Sequence, residues 1–339
     1  MTSTPATTGL IHLGDREPAV TGAEMVNALV PPPQFDGATF ESYRADDAYP
    51  SQQESKELLQ AFAGTQSAPA KKGGFFRRAE KAPAVKPGVY LDGGFGVGKT
   101  HLLASIYHAM PARRKYFGSF IEYTALVGVL GYAKAVELFR GSDLLCIDEF
   151  ELDDPGDTMV MTRLIKELTE TGTRFAATSN TPPGALGEGR FAAQDFLREI
   201  QAMSDRFDTM RIDGLDYRRR AVDESAAVVD DVAGLLPTGA VTLDDFGAVV
   251  AHLGSVHPSK YVALVEDLDA VGLTDVRAFT DQTDALRWVA LVDRLYDAQV
   301  RIVASGTPLD QVYPDVMLEG GYRKKYLRAA SRVVALTRA

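Results

Sequence analysis

From Gly88 onward, short apolar runs alternate with longer stretches in which apolar residues recur every three or four positions. Short apolar runs are typical of buried strands, and the longer spacing is typical of helices with one apolar face. Strands are predicted at 88–92, at the start of 113–130, and at 143–150, 174–180 and 209–214; helices are predicted at 101–110, in the rest of 113–130 and at 158–172. Strands that alternate with helices favour a parallel sheet covered on both faces, so we predict an α/β core over residues 88–220.

The segments on either side of this core have other patterns. Residues 1–30 are small and polar, and we expect them to be poorly ordered. Residues 31–87 contain one predicted helix and then, at 65–87, a linker rich in Ala, Pro, Gly and Lys. Residues 221–339 show three helical patterns (TLDDFGAVVAHLG, PSKYVALVEDLDAVG and DALRWVALVDRLYD) and one strand pattern at 300–306. We therefore predict a mainly helical C-terminal subdomain that serves as a lid for the core.

Two parts of the chain resemble each other. LIKELTETGTRFAATSNTP at 164–182 and LVDRLYDAQVRIVASGTP at 291–308 both have the pattern of a helix, a turn, a strand and then Thr-Pro. An internal repeat would give this similarity, and so would the independent use of one local structure. The pattern alone leaves both interpretations open.

Composition narrows the class of protein. The 339 residues have 45% hydrophobic content, a net charge of −10 and a single cysteine, Cys146. At about 150 residues per domain this length predicts two structural units. The apolar content excludes a wholly disordered chain, and one cysteine excludes a disulfide-stapled one. The N-terminus has no secretory pattern and no apolar run reaches about 18 residues, so we expect a cytoplasmic protein without a transmembrane segment.

The strongest chemical signal is GGFGVGKT at residues 93–100, which has the spacing of a phosphate-binding P-loop, or Walker A motif. It follows a predicted strand and precedes a predicted helix, as that motif requires. Glycines let backbone N–H groups form a concave nest for phosphate oxygens, and the helix N-terminus adds partial positive charge. We expect Lys99 to reach the β- and γ-phosphates of ATP and the Thr100 hydroxyl to ligate Mg²⁺. The candidate nucleotide-binding residues are Gly93, Gly94, Phe95, Gly96, Val97, Gly98, Lys99, Thr100 and His101.

A pair of carboxylates, Asp148 and Glu149, follows the buried strand pattern LLCI. The carboxyl ends of parallel strands meet at one edge, so Asp148 is expected to face the phosphates and to hold Mg²⁺, as in a Walker B motif. Glu149 is the candidate base that polarises the attacking water. The alternative is an ordinary pair of acids at a strand end. The nearby acids are interpreted as loop and N-cap residues; they are Glu151, Asp153, Asp154 and Asp157.

Three further polar residues are candidates for contact with the γ-phosphate. Asn180 closes the next predicted strand, where it could orient water; the alternative is a turn-forming Asn before Thr-Pro-Pro. Arg206 precedes the strand at 209–214, where an arginine of one subunit can reach ATP of its neighbour, and Arg198 is the second candidate for that role. Arg287 could act from the C-terminal part. The alternatives are a surface arginine for Arg206, and for Arg287 a helix-face arginine paired with Asp284 or Asp293.

The order of the motifs (P-loop, IDEF, TSN, SDRF) resembles the core of an AAA+ ATPase. A finer set of segments is similar to the AFG-type AAA+ ATPases, a family with bacterial and mitochondrial members. These segments are PPPQFDGATFESYRAD, YLDGGFGVGKTHLL, CIDEFELDDPGDTMVMTRL, FAATSNTPP, IDGLDYR and LRWVALVDRLYD. The ending GGYRKKY resembles the actinobacterial branch, and the resemblance extends over about residues 30–335.

This resemblance implies an Mg²⁺-dependent ATPase that acts at the bacterial division site with the tubulin-like protein FtsZ or another division protein. It implies a homo-oligomer formed on ATP binding. It also implies that Lys99, Thr100, Asp148, Glu149 and Asn180 have the roles given above, that Arg206 or Arg198 acts in trans, and that Arg287 lies on an arginine-bearing helix of the family. Two segments, 113–123 and 185–196, depart from the family's pattern, so contacts with partners are not carried over.

Three functions are therefore weighed. The first is hydrolysis of ATP coupled to remodelling of a protein partner. The second is a nucleic-acid motor or helicase loader, with the basic segments 71–86 and 323–338 as its contact surface. Nucleic acid is disfavoured because aromatic residues are interleaved with basic ones only at Tyr322–Tyr326. The third is a scaffold that binds ATP with little turnover, which the presence of Glu149 argues against.

Overall fold

The structure is a computed structural model that describes residues 11–18, 21–64, 86–94, 96–152, 155–186, 197–214, 225–256 and 258–338. The chain divides into two compact units. Residues 21–219 form the core unit, and residues 1–20 together with 220–339 form the C-terminal unit. The linker predicted at 65–87 lies outside the described residues except for its last two positions.

In the described part of the core unit, five strands form one parallel sheet in the order β2-β3-β4-β1-β5. The strands are β1 (Gly88–Gly93), β2 (Lys115–Ser119), β3 (Leu144–Asp148), β4 (Arg174–Ser179) and β5 (Phe207–Ile212). The helices are α1 (Gly22–Asn27), α2 (Pro50–Gly64), α3 (Lys99–Ala109), α4 (Phe120–Leu130), α5 (Tyr132–Phe139), α6 (Pro155–Glu170) and α7 (Leu197–Ser204). The predicted parallel α/β core is confirmed. Helix α1 lies within the stretch 1–30, for which the sequence indicated little order.

The three central strands of the sheet, β3, β4 and β1, are largely buried, because they carry mostly apolar side chains on both faces. Every residue of β1 is buried, as is every residue of β4. Side chains alternate between faces along a strand, so Val89 and Leu91 join one apolar cluster and Tyr90 joins the other. Helices α2 and α3 contribute to the first cluster, and α4, α5, α6 and α7 contribute to the second. Helices therefore pack against both faces of the sheet.

The parallel order places the chemical motifs at one end of the sheet. We call the end where the strands finish the carboxyl edge and the end where they begin the amino edge. Gly93, Asp148 and Ser179 are the last residues of β1, β3 and β4, so the P-loop, the acidic pair and Asn180 meet at the carboxyl edge. A strand of six residues spans about 20 Å, which separates this edge from the amino edge.

The C-terminal unit is also an α/β structure. Within its described residues, three parallel strands have the order β6-β7-β8. They are β6 (Val241–Asp245), β7 (Ala270–Val276) and β8 (Arg301–Gly306); the helices are α8 (Val232–Leu235), α9 (Phe246–Ser255), α10 (Tyr261–Val265), α11 (Gln282–Asp297), α12 (Asp315–Leu318) and α13 (Arg323–Arg338). Helices dominate, as predicted, but they pack on a sheet of which the sequence indicated only β8.

The prediction of a helix was wrong for the start of TLDDFGAVVAHLG, which forms β6. The buried positions of β6 are Thr242 and Asp244, so the strand lacks the apolar alternation that would have identified it. Asp244 is tolerated in the interior because it accepts from the backbone N–H of Leu13 at 3.0 Å. Asp245 then caps α9 by accepting from Ala248 N. Likewise, the end of PSKYVALVEDLDAVG runs into β7 instead of continuing a helix.

The two similar sequence segments have the same local structure. In each, a helix of 16 residues leads into a strand that pairs in parallel with the strand before that helix: α6 and β4 with β3, and α11 and β8 with β7. A 3-10 turn with a proline N-cap follows both times, at Pro182 and Pro308. Both segments also have an acidic residue with positive φ near the earlier strand. Glu149, directly after β3, has φ of 52°, and Asp275, within β7, has φ of 53°.

None of the helices in the described ranges combines the length and apolar character that crossing a membrane demands.

Candidate nucleotide site at the carboxyl edge

The P-loop starts at the end of β1 and finishes in the first turn of α3. A Cβ atom on Gly93 would lie 2.4 Å from the carbonyl oxygen of Ile212 on β5, so the two strands can pair here only around glycine. Gly98 has φ of +85°, and a Cβ atom there would lie 2.5 Å from the ring of Tyr43. Both glycines are therefore structural requirements of the loop. Phe95, predicted to bind nucleotide, lies outside the described residues.

Lys99 links the P-loop to the end of β4. Its Nζ donates to the carbonyl oxygens of Gly93 at 3.0 Å and Gly94 at 2.6 Å, and to Asn180 Oδ1 at 2.9 Å. The sequence predicts that Lys99 and Asn180 contact the same phosphate, and the structure brings their side chains into contact. Phosphate oxygens that bind Lys99 would compete with these acceptors.

Thr100 and Asp148 form a set of hard oxygen donors. The Thr100 hydroxyl donates to Asp148 Oδ2 at 2.9 Å, and Asp148 Oδ1 accepts from the Thr178 hydroxyl. Desolvation, followed by the Glu149 charge, raises the pKa of Asp148, and the hydroxyls of Thr178 and Thr100 partly offset that rise. Mg²⁺ binds through one or two protein oxygens together with phosphates and water, and this donor set fits such an ion. Within the described ranges, no group of three or more His, Cys, Asp or Glu side chains could hold a metal on its own.

Glu149 sits at a sharp change of backbone direction. Its φ of +52° is unusual for a residue with a side chain, and such strain occurs often at functional sites. Its N–H donates to Asp148 Oδ1 and Thr178 Oγ1, each at 3.1 Å, and the next residue, Phe150, donates to Thr178 O at 2.7 Å. The side chain of Glu149 is half-buried. Bonds to the neighbouring strand therefore hold the proposed base beside the proposed metal ligand.

The sequence predicts a loop or N-cap position for Glu151, and the structure places the residue in a loop. The sequence does not indicate its burial: the residue is only 7% exposed. Its carboxylate accepts from the Ser179 hydroxyl at 3.1 Å and the Thr181 hydroxyl at 3.3 Å. Nothing in the local sequence distinguishes Glu151 from its acidic neighbours, since its partners lie about thirty residues further along. Asp153 and Asp154 fall outside the described residues.

Residues 39–43, which precede α2, lie against one side of the P-loop, a contact that the sequence does not predict. The Tyr43 hydroxyl donates to Val97 O at 2.9 Å. His101 Nε2 lies 2.9 Å from the Ser42 hydroxyl and 3.0 Å from Thr39 O. His101, predicted to bind nucleotide, is thus tied to this segment. In the sequence these residues belong to TFESYR at 39–44, which contributes to the family resemblance but does not by itself indicate a contact with the P-loop.

Arg206, the first candidate for the trans arginine, lies at the opposite end of β1 from the P-loop of its own chain. The backbone oxygen of Arg206 accepts from Gly88 N at 3.1 Å, which places Arg206 at the amino edge. Its side chain is half-buried, whereas Arg198 is exposed on α7. A role of Arg206 at ATP would therefore require the amino edge of one subunit to face the carboxyl edge of another.

Arg287 lies on α11 of the C-terminal unit. Its Nη1 donates to Asp284 Oδ1 at 3.1 Å, one of the two pairings that the helix-face alternative named. The other named partner, Asp293, is buried and pairs with Arg328 and Arg332 of α13. Arg287 is one-third exposed in this pairing.

A model of the AFG1-like ATPase family matches residues 23–234 and 235–339, and these ranges include every residue of this site. The cell division protein ZapE of Escherichia coli K12 is 31% identical over 271 residues, which are 67% of this chain and 72% of ZapE. Among solved structures, the replication initiator DnaA bound to AMPPCP and single-stranded DNA has a TM-score of 0.40 at 14% identity, and covers 52% of this chain and 50% of its own. The DnaC helicase loader has a TM-score of 0.37 at 15% identity, over 53% of this chain and 99% of its own.

Proposed function

Because this chain belongs to the AFG1-like ATPase family and is an ATPase, we propose that it couples Mg²⁺-dependent hydrolysis of ATP at the carboxyl edge to remodelling of a protein partner at the division site. The partner we propose is FtsZ or another division protein. The name of the Escherichia coli relative, a cell division protein, supports this choice. Assembly of the chain into a homo-oligomer on ATP binding is part of the same proposal.

The observation that carries the proposal is the convergence of three loops. Lys99 contacts Asn180 at 2.9 Å, Thr100 contacts Asp148 at 2.9 Å, and Glu149 follows Asp148 with its backbone bonded to β4. Hydrolysis of a phosphoanhydride needs a phosphate cradle, a metal site and a water-activating group in one place. The carboxyl edge supplies residues suited to each requirement.

We assign the chemical roles as follows. The backbone N–H groups of residues 94–98 and the ammonium of Lys99 bind the phosphates. Thr100 and Asp148 would hold Mg²⁺, which when bound neutralises charge on the β- and γ-phosphates. Asn180 orients a water molecule in line with the γ-phosphorus, and Glu149 accepts its proton as the water oxygen bonds to phosphorus and the bond to ADP breaks.

Two arginines complete the proposed site. Arg206 of an adjacent subunit stabilises the charge of the transition state, with Arg198 as the second candidate for this role. Arg287 contacts the γ-phosphate from the C-terminal unit. Because the trans arginine comes from an adjacent subunit, an oligomer would hydrolyse ATP faster than a single subunit.

A nucleic-acid motor receives less support. The tail from 320 to 339 has six basic residues and no acidic one. Two of them, Arg328 and Arg332, are engaged by the buried Asp293 in the described structure. The basic surface left on α13 is therefore smaller than the sequence indicates.

Co-sedimentation with polymerised FtsZ tests the proposed function. Glu149→Gln should retain ATP in the site, and the ATP-bound variant should be enriched in the FtsZ pellet relative to the nucleotide-free variant. Glu170→Gln makes the same chemical change at an exposed position on α6 and should behave as wild type. Equal sedimentation of the Glu149→Gln protein with and without ATP would refute FtsZ as the partner.

A further inference from the structure

Glu151 is a buried acid that the proposed reaction does not use. It follows Glu149 by two residues, and its exposed fraction is 7%. A buried carboxylate is strongly destabilising unless hydrogen bonds replace its hydration. Hydrogen bonds from neighbouring groups must therefore stabilise this carboxylate, two positions after the proposed base.

Three hydrogen-bond partners of Glu151 come from the last residue of β4 and from the loop that follows it. Glu151 Oε1 accepts from Ser179 Oγ at 3.1 Å and from the backbone N–H of Asn180 at 3.4 Å, while Oε2 accepts from Thr181 Oγ1 at 3.3 Å. The same loop is held from the other side, because the Tyr90 hydroxyl donates to Thr181 O at 2.8 Å. One carboxylate thus contacts three consecutive residues, with Asn180 at the centre.

Asn180 connects this carboxylate to the phosphate-binding residues. Its backbone N–H contacts Glu151, and its side-chain oxygen accepts from Lys99. The loop that carries Glu151 also carries Glu149, whose backbone bonds to Thr178 on the neighbouring strand. Glu151 therefore fixes the loop of Asn180 relative to the loop of Glu149.

We infer that Glu151 is a positioning residue for hydrolysis, which acts by holding Asn180 at a fixed place relative to Glu149. This inference rests on the role proposed for Asn180 at the attacking water. A displacement of about 1 Å in a group that orients a reactant can reduce a rate by up to about 100-fold. The hydrogen bonds of Glu151 given above reach Lys99 only through Asn180, and Lys99 is also held by Gly93 O and Gly94 O, so the affinity for ATP should change little.

The expected signature is a split between kcat and KM. Glu151→Ala should lower kcat by about 10- to 100-fold with KM for ATP within about threefold of wild type. Glu151→Gln keeps an oxygen acceptor at the same place and should recover part of the loss. Thr181→Val leaves the carboxylate of Glu151 in place but removes the hydroxyl that donates to it. This variant should also lower kcat, by a smaller factor than Glu151→Ala. If Glu151→Ala does not fold, Glu151→Gln and Thr181→Val still test the positioning role of Glu151.

A double-mutant cycle with Asn180 is the decisive experiment. The full-length wild type, Glu151→Ala, Asn180→Ala and the double variant are compared for kcat, KM and melting temperature, with Glu170→Ala on the exposed face of α6 as the control. If Glu151 acts through Asn180, the double variant will have the kcat of Asn180→Ala alone. Losses that multiply in the double variant would overturn the inference, as would a Glu151→Gln variant no more active than Glu151→Ala with an unchanged melting temperature.

The same data separate this inference from the proposed site. A wild-type kcat in Asn180→Ala would refute the role proposed for Asn180 itself. A low kcat in Asn180→Ala together with a wild-type kcat in Glu151→Ala would leave that role intact and refute only the positioning role of Glu151.

Discussion

The hydroxyl of Thr100 donates to Asp148 Oδ2 over 2.9 Å and joins the first turn of α3 to the end of β3. The two residues are 48 positions apart in the chain, and the order of the parallel sheet brings them together. Because both oxygens lie at one point beside the P-loop, a single cation could contact both of them. This relationship is the basis of the first prediction.

Asp148→Asn should abolish most Mg²⁺-dependent turnover. Asparagine keeps the size of the side chain and one acceptor for Thr178 but loses the negative charge that attracts the ion. We expect kcat to fall by about 100-fold or more, with a larger requirement for Mg²⁺. Phosphate release measured over a range of Mg²⁺ concentrations will check this. Asp36→Asn, at an exposed position, is the control; a wild-type response to Mg²⁺ in Asp148→Asn would rule out the assignment.

Glu149→Gln should bind ATP without hydrolysing it. The amide is close in size to the carboxylate but cannot accept a proton from water, so the loss is expected in kcat and not in binding. Light scattering after gel filtration should then detect an oligomer that persists in ATP and dissociates in ADP. Unchanged phosphate release would show that another group activates the water.

Arg206 is predicted to act on the ATP of a neighbouring subunit. Its place at the amino edge, about 20 Å of strand from the P-loop, gives it no access to the site of its own chain. Arg206→Ala should therefore bind ATP but lose turnover, and mixing it with Lys99→Ala should restore activity. In the mixture, an intact P-loop from the first variant meets an intact Arg206 from the second.

The control for this mixture is Arg198→Ala combined with Lys99→Ala. If only the mixture containing Arg198→Ala regains activity, Arg198 is the trans arginine. Failure of both mixtures would exclude an arginine supplied by a second subunit.

The sequence predicted those parts of the site that depend on local pattern. The glycines at 93 and 98, the lysine that begins α3, and the acids after an apolar run each leave a short-range signal in the sequence. Glu151 leaves none, because its role arises from contacts with residues 179–181 that strand pairing determines. Strand β6 was not predicted for a related reason. Its buried Asp244 accepts a hydrogen bond from Leu13, more than two hundred residues away, so the polar residues of β6 indicated the start of a helix instead of a strand.

Arg287 can be tested against its own partner. Arg287→Ala and Asp284→Ala each break the pair between these residues on α11, and a partly exposed pair contributes less than about 1 kcal/mol to stability. If Arg287 contacts the γ-phosphate, Arg287→Ala will lower kcat at least about tenfold, whereas Asp284→Ala will not. Turnover measured beside the melting temperature checks this. Equal, small losses of melting temperature with full turnover in both variants would assign Arg287 to the helix surface alone.

Asp293 should be a main determinant of the stability of the C-terminal unit. It is 5% exposed and accepts from Arg328 Nη2 at 2.5 Å and from Arg332, so it joins α11 to α13. Asp293→Ala would leave two guanidinium groups near the interior without this acceptor, which costs about 3–5 kcal/mol. The only tryptophan of the chain, Trp288, is buried in the same unit, so its fluorescence during urea denaturation reports on this unit. The control is Arg277→Ala, which breaks an exposed ion pair with Asp275 and should lower the free energy of unfolding by less than about 1 kcal/mol. If Asp293→Ala lowers the free energy of unfolding by no more than this control, the buried pair contributes little net stability.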